Sequence, residues 1–518
     1  MTDTNLPPVV QAMLQPEFYP HSTQSDITLI QTHVSYVFLT GEFVYKLKKP
    51  VNFGFLDFST LAKRKHFCEE ELRLNQRGAA ALYLGVVAVT QSDDGFALNG
   101  SGEVVEYAVK MQQFPQASLL SDMFDRGELT EQHIRDLAKE VAGFHAKAES
   151  NDHIRSYGSV EKVRQAFDEN YEQSAGFIDF EGAEGPQTQA QFDATKAYTD
   201  DFFVKHAAVL ADRVNADKIR ECHGDAHLRN IALWQGKLWL FDCIEFNEPF
   251  RFVDTMYDVA FICMDLDARG RRDFSHIFLN TYLEQTGDYE GLQVLPLYLS
   301  RQAYVRAKVT SFLLGDPAIP AAVKQESRQT AAAYYKLAYN YTQQSAGQLI
   351  MMAGLSGSGK STTGSAIAQS HNAVHLRSDA IRKQLAGIAV EDRGSDAIYT
   401  PEMTQKTYDR LLSLGLMLAQ AGYTVVLDAK YDRVALRKPV IGKAQATGIP
   451  LTIVYCDAPM DVLKMRVAQR TGDIADATVK VLAQQSFEAF TDSETNCVKT
   501  IDTTIDLNAQ LKQAGLYI

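Results

Sequence analysis

Residues 222–230 read CHGDAHLRN, and the chain continues as IALWQGKLWLFD through residue 242. The second stretch has the pattern of strand, glycine-containing turn and strand, which is a tight hairpin. Asp225 and Asn230 then lie on the loop that enters the hairpin, and Asp242 lies at the end of its second strand, beside that loop. A carboxylate on a rigid loop can accept the proton of an attacking hydroxyl and aim its oxygen. An amide five residues later and a second carboxylate are oxygen ligands of the kind that Mg²⁺ takes. Asp225 is therefore the candidate base, with Asn230 and Asp242 as candidate metal ligands.

Upstream, ITLIQT, SYVFLTG, EFVYKLKKP, LYLGVVAVT and VVEYAVKMQQF are rich in β-branched and aromatic residues and read as strands. LDFSTLAKRKHFCEEELRLNQRG reads as a helix between them. Strand alternation puts Lys46 and Lys48 on one face. In the helix, Glu71 falls four residues after Phe67 and three before Leu74, so it shares their inward face. From residue 129 onward helical periodicity dominates, with Ile134, Leu137, Val141 and Phe144 on one face.

The spacing HxDxxxxN followed by an aspartate after a strand resembles the catalytic elements of protein kinases. HGDAHLRN is closer still to the HGDxHxxN loop of aminoglycoside phosphotransferases and their choline-kinase-like relatives. The resemblance implies a bilobal kinase-like domain, with an amino-terminal lobe at about 28–113 and a carboxy-terminal lobe at about 114–342. It implies Asp225 as catalytic base and Asn230 and Asp242 as metal ligands. Lys46 is the first choice for the ATP phosphates and Lys48 the second, with Glu71 as the helix partner and Glu70 as its alternative. Asp258, in RFVDTMYDVAF, is expected to brace the loop, and His145 to pack in the core. VKMQQF (109–114) is expected to form the hinge under adenine. No GxGxxG loop precedes the lysine strand; QTHVSYVF stands there instead.

A second phosphate signal lies at 354–362, GLSGSGKST, which fits G-x-x-x-x-G-K-[ST] in full. It follows the apolar strand LIMMA and precedes TTGSAIAQS, the strand–loop–helix context the pattern needs. Gly354, Gly357 and Gly359 let backbone N–H groups approach phosphate, and the helix amino terminus adds its dipole. Lys360 is expected at the β- and γ-phosphates, Ser361 at Mg²⁺, and Thr362 in the same cradle. AVHLRSD delivers Asp379 at a strand's carboxyl end as a second candidate base, with Arg382 one turn later for an anionic acceptor. Ser378 or Asp379 is also a good helix cap. YTVVLD ends in Asp428, a candidate metal or acceptor ligand, and Arg433 and Arg437 follow on one helix face.

RSDAIRKQL resembles the matching stretch of polynucleotide 5′-kinases, chloramphenicol phosphotransferase and zeta-type toxin kinases. In that group a segment like Arg466 to Arg470 forms a mobile lid on ATP. The resemblance implies Arg470 as the residue stabilising charge on the transferring phosphoryl group. Arg433 is taken as a substrate contact beside Arg382. The whole layout resembles a bacterial family of two-domain proteins that pairs these two kinase types.

The expected fold class is α/β and multidomain: a kinase-like α+β domain at 1–345 and a P-loop domain with a parallel sheet at 346–518. Periodicity is lost across YNYTQQSAGQ, which sets that boundary, and 174–192 reads as a loop or polar insertion. A length of 518 residues suits two or three cores. The net charge of −13 disfavours a general nucleic-acid binder. The six cysteines form no CxxC pair and read as reduced core residues rather than a metal cluster. MTDTNLPPVV lacks the pattern of a signal peptide and the apolar runs are too short to span a bilayer, so a cytoplasmic location is expected. The expected function is ATP- and Mg²⁺-dependent phosphoryl transfer at two sites, each onto a hydroxyl of a small molecule. Two alternatives stay open: nucleic-acid 5′-hydroxyl kinase activity in the second half, and a nucleotide-gated regulator or toxin-like protein with one weak site.

Overall fold

The computed structural model describes residues 6–180, 183–343, 345–469 and 474–517. The chain forms two compact units. One comprises Met1–Asp136, Gly143–Ala166 and His206–Asp265; the other comprises Leu137–Ala142, Phe167–Lys205 and Leu266–Ile518.

In the first unit a six-stranded sheet runs in the order β1 (Thr28–Gln31), β2 (Ser35–Leu39), β3 (Phe43–Lys48), β6 (Glu103–Gln112), β4 (Tyr83–Ser92), β5 (Gly95–Leu98). All its pairings are antiparallel. The strands expected from sequence are present, and β5 is an addition: GFAL is too short to show a period. Helix α1 (Leu61–Ala79) lies between β3 and β4 in sequence, opened by Thr60, whose hydroxyl accepts from the Lys63 N–H. Its buried positions are Arg64, Cys68, Glu71, Leu74, Asn75 and Ala79, a single helical stripe. Two of these six are charged and one is an amide, so the stripe carries chemistry as well as packing.

The hairpin read from sequence is β7 (Ile231–Trp234) and β8 (Lys237–Leu240), with Trp234 opposite Lys237. Gln235 and Gly236 both have positive φ, at 53° and 72°, the turn that matches strand twist. Residues 174–192, read as a loop, contain a two-stranded pairing of Asp179–Phe180 with Ala183–Glu184, and a helix opens at Gln189.

In the second unit a five-stranded sheet is parallel throughout. Its order is β10 (Val374–Arg377), β11 (Thr424–Asp428), β9 (Gln348–Ala353), β12 (Leu451–Asp457), β13 (Val498–Asp502). β9 is buried from Leu349 to Ala353, as a central strand covered on both faces must be. Helix α3 (Arg272–Thr286) packs on the edge strand β10. Asn280 Oδ1 accepts the His375 N–H at 2.8 Å, and Asn280 Nδ2 donates to Ala373 O at 3.3 Å. One side-chain amide thus satisfies edge-strand backbone groups that would otherwise invite another strand.

Five of the six cysteines are buried and Cys497 is half-buried; none forms a disulfide. No helix among the described residues is long and apolar enough to cross a membrane.

Candidate functional sites

In the first unit, strand alternation aims both lysines of β3 at α1. Lys46 Nζ lies 2.6 Å from Asp242 Oδ1 and 2.9 Å from Glu71 Oε1. Lys48 Nζ lies 2.7 Å from Glu71 Oε2 and pairs with Glu245. Glu71 is fully buried, and each of its oxygens faces a different ammonium. Burial would raise its pKa, but the charges of Lys46 and Lys48 outweigh that and hold it down at about 2. Burial raises the pKa of Glu245, and Lys48 only partly offsets it. Glu70 does not join this network: it takes Arg73 at 2.8 Å and lies near Arg251.

Glu245 was missed in the sequence. Its only signal is an acid between Ile244 and Phe246, three residues after Asp242, and nothing local shows that Lys48 would reach it. Asn75 adds a tie between α1 and the same segment: its Oδ1 accepts the Cys243 N–H at 2.9 Å and its Nδ2 donates to Glu71 O at 2.8 Å. Asp242 itself has φ of 65°, a left-handed conformation that costs energy in a non-glycine residue.

The loop before the hairpin is held from below. Asp258, in helix α2 (Thr255–Ala268), accepts the N–H groups of His223 at 2.7 Å and Gly224 at 2.9 Å. His145 Nε2 lies 3.2 Å from Asp258 Oδ2, and both residues are buried. Burial would raise the Asp258 pKa, but His145 and the backbone N–H of His223 keep it below the usual range. His145, Cys222 and Asp258 bring potential metal-ligand atoms within 4.8 Å. Both Asp258 oxygens already accept backbone N–H groups, so this carboxylate is committed to the loop.

On the loop, Asn230 Nδ2 donates to Asp225 O at 3.0 Å and to Asp225 Oδ2 at 3.1 Å. That geometry turns Asn230 Oδ1 away from Asp225. His227 Nε2 lies 3.4 Å from Asp225 Oδ2. The side chains of Asp225 and Asp242 are 35% and 43% exposed, so both carboxylates are accessible. Asn230 Oδ1 with the Asp242 carboxylate is an all-oxygen donor set, which fits Mg²⁺.

In the second unit Gly354, Gly357 and Gly359 have φ of 139°, 81° and 88°, so the loop between β9 and helix α4 (Lys360–His371) follows a path that suits glycine. Lys360 Nζ donates to Leu355 O at 2.7 Å, folded back across the loop. Burial lowers its pKa against the opposing charges of Asp428 and Asp379. Ser361 and Thr362 open α4, half-buried and exposed respectively. Asp428 ends β11 level with Arg377 of β10 and Met352 of β9. His375 Nε2 lies 3.1 Å from Asp428 Oδ2. Burial would raise the Asp428 pKa, but His375, Arg377 and Lys360 bring it to about 2. The hydroxyl of Ser361 and the carboxylate of Asp428 are again oxygen ligands suited to Mg²⁺.

Helix α5 (Ser378–Leu385) has Arg377 at its cap, so Asp379 sits inside the first turn rather than at the cap position. Arg382, expected to hold an anionic acceptor, is engaged elsewhere. Its Nη1 donates to Ile398 O at 3.1 Å and to Thr404 Oγ1 at 3.3 Å, and the residue is 7% exposed. Arg433 is exposed at the cap of the helix Val434–Thr447. Arg437, expected on one helix face with Arg433, is instead fully buried against Glu494 at 2.7 Å. Arg470 lies outside the described residues. Arg466 reaches Thr503 O at 2.6 Å and Gly357 O at 3.4 Å, so it buttresses the phosphate loop. Gln485 brackets the same loop, accepting the Ser356 N–H at 3.0 Å and donating to Ser356 Oγ at 3.1 Å. Sequence gave no signal for Gln485 or Thr503.

Residues 349–489 match the family model described as an AAA domain. The chain is 28% identical over 471 residues to an uncharacterized protein of Mycobacterium tuberculosis strain H37Rv, covering 90% of each chain. It is 29% identical over 176 residues to the adenylyl-sulfate kinase of Myxococcus xanthus strain DK1622, covering 33% of this chain and 89% of that protein. Among solved structures, it is similar to the Mycobacterium tuberculosis APS kinase in complex with AMPPNP and APS, at 20% identity and a TM-score of 0.26, over 33% of this chain and 98% of that one. It is also similar to a putative aminoglycoside phosphotransferase from Ralstonia eutropha JMP134, at 12% identity and a TM-score of 0.37, over 64% of this chain and 97% of that one.

Proposed function

We propose that the chain is an ATP-dependent phosphotransferase with two nucleotide sites, each moving the γ-phosphoryl group to a hydroxyl of a small molecule. The observation that carries this reading is the pairing, in each half, of a lysine (half-buried Lys46, buried Lys360) with nearby oxygen ligands and a separate carboxylate at a strand or loop end. The two functional halves are 1–345 and 346–518.

In the first half Lys46 contacts the phosphates and is held by Glu71, while Asp225 takes the proton of the acceptor hydroxyl. In the second half the backbone N–H groups of the glycine loop and Lys360 hold the β- and γ-phosphates, and Asp379 takes the acceptor proton. Mg²⁺, held by Asn230 and Asp242 in one half and by Ser361 and Asp428 in the other, would offset charge on the phosphates. Arg433 remains the substrate contact of the second half, and Arg470 its charge-stabilising arginine. The similarity to an adenylyl-sulfate kinase supports a small-molecule acceptor there.

An untargeted metabolite screen for ATP-dependent phosphorylation tests the reading on the wild type, Asp225→Asn and Asp379→Asn. Each variant is expected to lose one set of products and keep the other. Identical product sets in all three proteins would sink it.

A further inference from the structure

Three elements of the second unit converge on one side chain that none of the expected roles uses. His375 is on the edge strand β10. Its Nε2 lies 3.1 Å from Asp428 Oδ2, and its backbone N–H donates to Asn280 Oδ1 at 2.8 Å. Its third neighbour is the phosphate-loop helix α4: a Cβ built at Gly364 would lie 3.1 Å from His375 Nε2. The imidazole therefore occupies space that a larger residue at 364 would crowd.

Asp428 needs such support. It is 4% exposed, at the end of a buried strand, and a carboxylate there can rotate about its χ torsions unless something fixes it. His375 holds Oδ2, which restricts the rotation of the carboxylate and leaves Oδ1 as the oxygen available to a ligand. Helix α3 fixes the other end of the arrangement. Asn280 bonds β10 on both sides of Val374, at Ala373 O and His375 N, and Glu284 of the same helix takes Arg377 at 3.3 Å. The strand that carries His375 is thereby fixed at three consecutive alternate positions.

We infer that His375 is a positioning residue of the phosphate-loop site, orienting Asp428 for the metal–nucleotide complex, and that helix α3 holds His375 in register through Asn280. The inference rests on the proposed reading that this site binds ATP with Mg²⁺. It goes beyond it by assigning to 272–286, a stretch sequence placed in the other kinase-like half, a part in the geometry of this one.

The test is calorimetric titration of the full chain with ATP, once with Mg²⁺ and once in EDTA. An Asp242→Asn background removes the metal carboxylate of the first site. The quantity read is the ratio of the two affinities, which isolates the metal-dependent part of binding and which a general loss of structure would not move selectively. His375→Leu is expected to lower that ratio by about tenfold, the usual scale for a group that orients a metal ligand, with affinity in EDTA unchanged. His375→Gln, whose amide nitrogen can reach the same oxygen, is expected to restore most of it. Asp428→Asn is expected to lose the ratio as well, and His375→Leu combined with Asp428→Asn to lose no more than Asp428→Asn alone. An unchanged ratio in His375→Leu, an equal loss in His375→Gln, or additive losses in the double variant would each overturn the inference. Parent protein whose ATP binding is insensitive to Lys360→Ala would overturn the functional reading itself, and the inference with it.

Discussion

Lys46 Nζ and Asp242 Oδ1 stand 2.6 Å apart although 196 residues separate them in sequence. Glu71 lies 2.9 Å from the same ammonium and shares its second oxygen with Lys48, which continues to Glu245. Two lysines and three carboxylates thus join the third strand, helix α1 and the segment after the hairpin. Desolvating so many charges is tolerable only because each faces an opposite one.

Removing Lys48 breaks that balance. Lys48→Met leaves Glu71 with Lys46 as its ion-pair partner and takes from Glu245 the ammonium that it contacts directly. A broken buried pair costs roughly 3–5 kcal/mol. A urea titration should show the lost stability as a lower midpoint, and Lys48→Met combined with Glu245→Gln should recover part of it. Equal midpoints for the single and double variants would mean that Glu245 gains nothing from Lys48.

Acid should expose the same network. Glu71 is held at about 2 against an ordinary value of 4.5. The unfolded chain therefore takes up its proton first as pH falls, and the stability Glu71 contributes is complete above 4.5 and lost towards 2. The melting-temperature gap between wild type and Glu71→Gln should be constant from pH 7 to about 5 and narrow below 4.5. A gap that widens on acidification would contradict this assignment.

Asp258→Asn tests the brace of the loop at 222–230. An amide offers one accepting oxygen where the carboxylate offers two, so the N–H of His223 or Gly224 must lose its acceptor. Leaving a buried donor unpaired costs about 1–3 kcal/mol. In the proposed scheme, products that depend on Asp225 fall at least tenfold in this variant, while products that depend on Asp379 are unchanged. Comparing the two product sets by mass spectrometry separates a loop defect from a general one.

These relationships were unequally legible in the sequence. The hairpin, the lysine strand and the phosphate loop announce themselves because their periods and turn residues are local. Glu71 was readable because helical phase places it inward between Phe67 and Leu74. Glu245, His375, Gln485 and Thr503 were not, since each acquires its meaning from a residue distant in sequence. The arginines misled for the same reason. The sequence offers Arg382 to an anionic acceptor and places Arg437 on one helix face with Arg433, but their guanidinium groups are bonded to Ile398 O and Glu494 at 3.1 Å and 2.7 Å. Helical phase locates a face, but it does not say which acceptor a long side chain will find on it.

The phosphate loop permits a sharper experiment, because two glycines with similar backbones have different surroundings. Gly357 has φ of 81° and a Cβ there would lie 2.6 Å from Leu463 O. Gly448, which ends the helix Val434–Thr447, has φ of 70° and nothing within 4 Å of a Cβ. Both Ala variants pay the left-handed conformation, roughly 1–2 kcal/mol. Only Gly357→Ala must also displace backbone beside the phosphates. Titration with ATP and Mg²⁺ in the Asp242→Asn background is expected to show binding abolished in Gly357→Ala and preserved in Gly448→Ala, with both proteins slightly less heat-stable. Equal loss of binding in the two would assign the effect to stability, and equal retention would remove the loop around Gly357 from the nucleotide site.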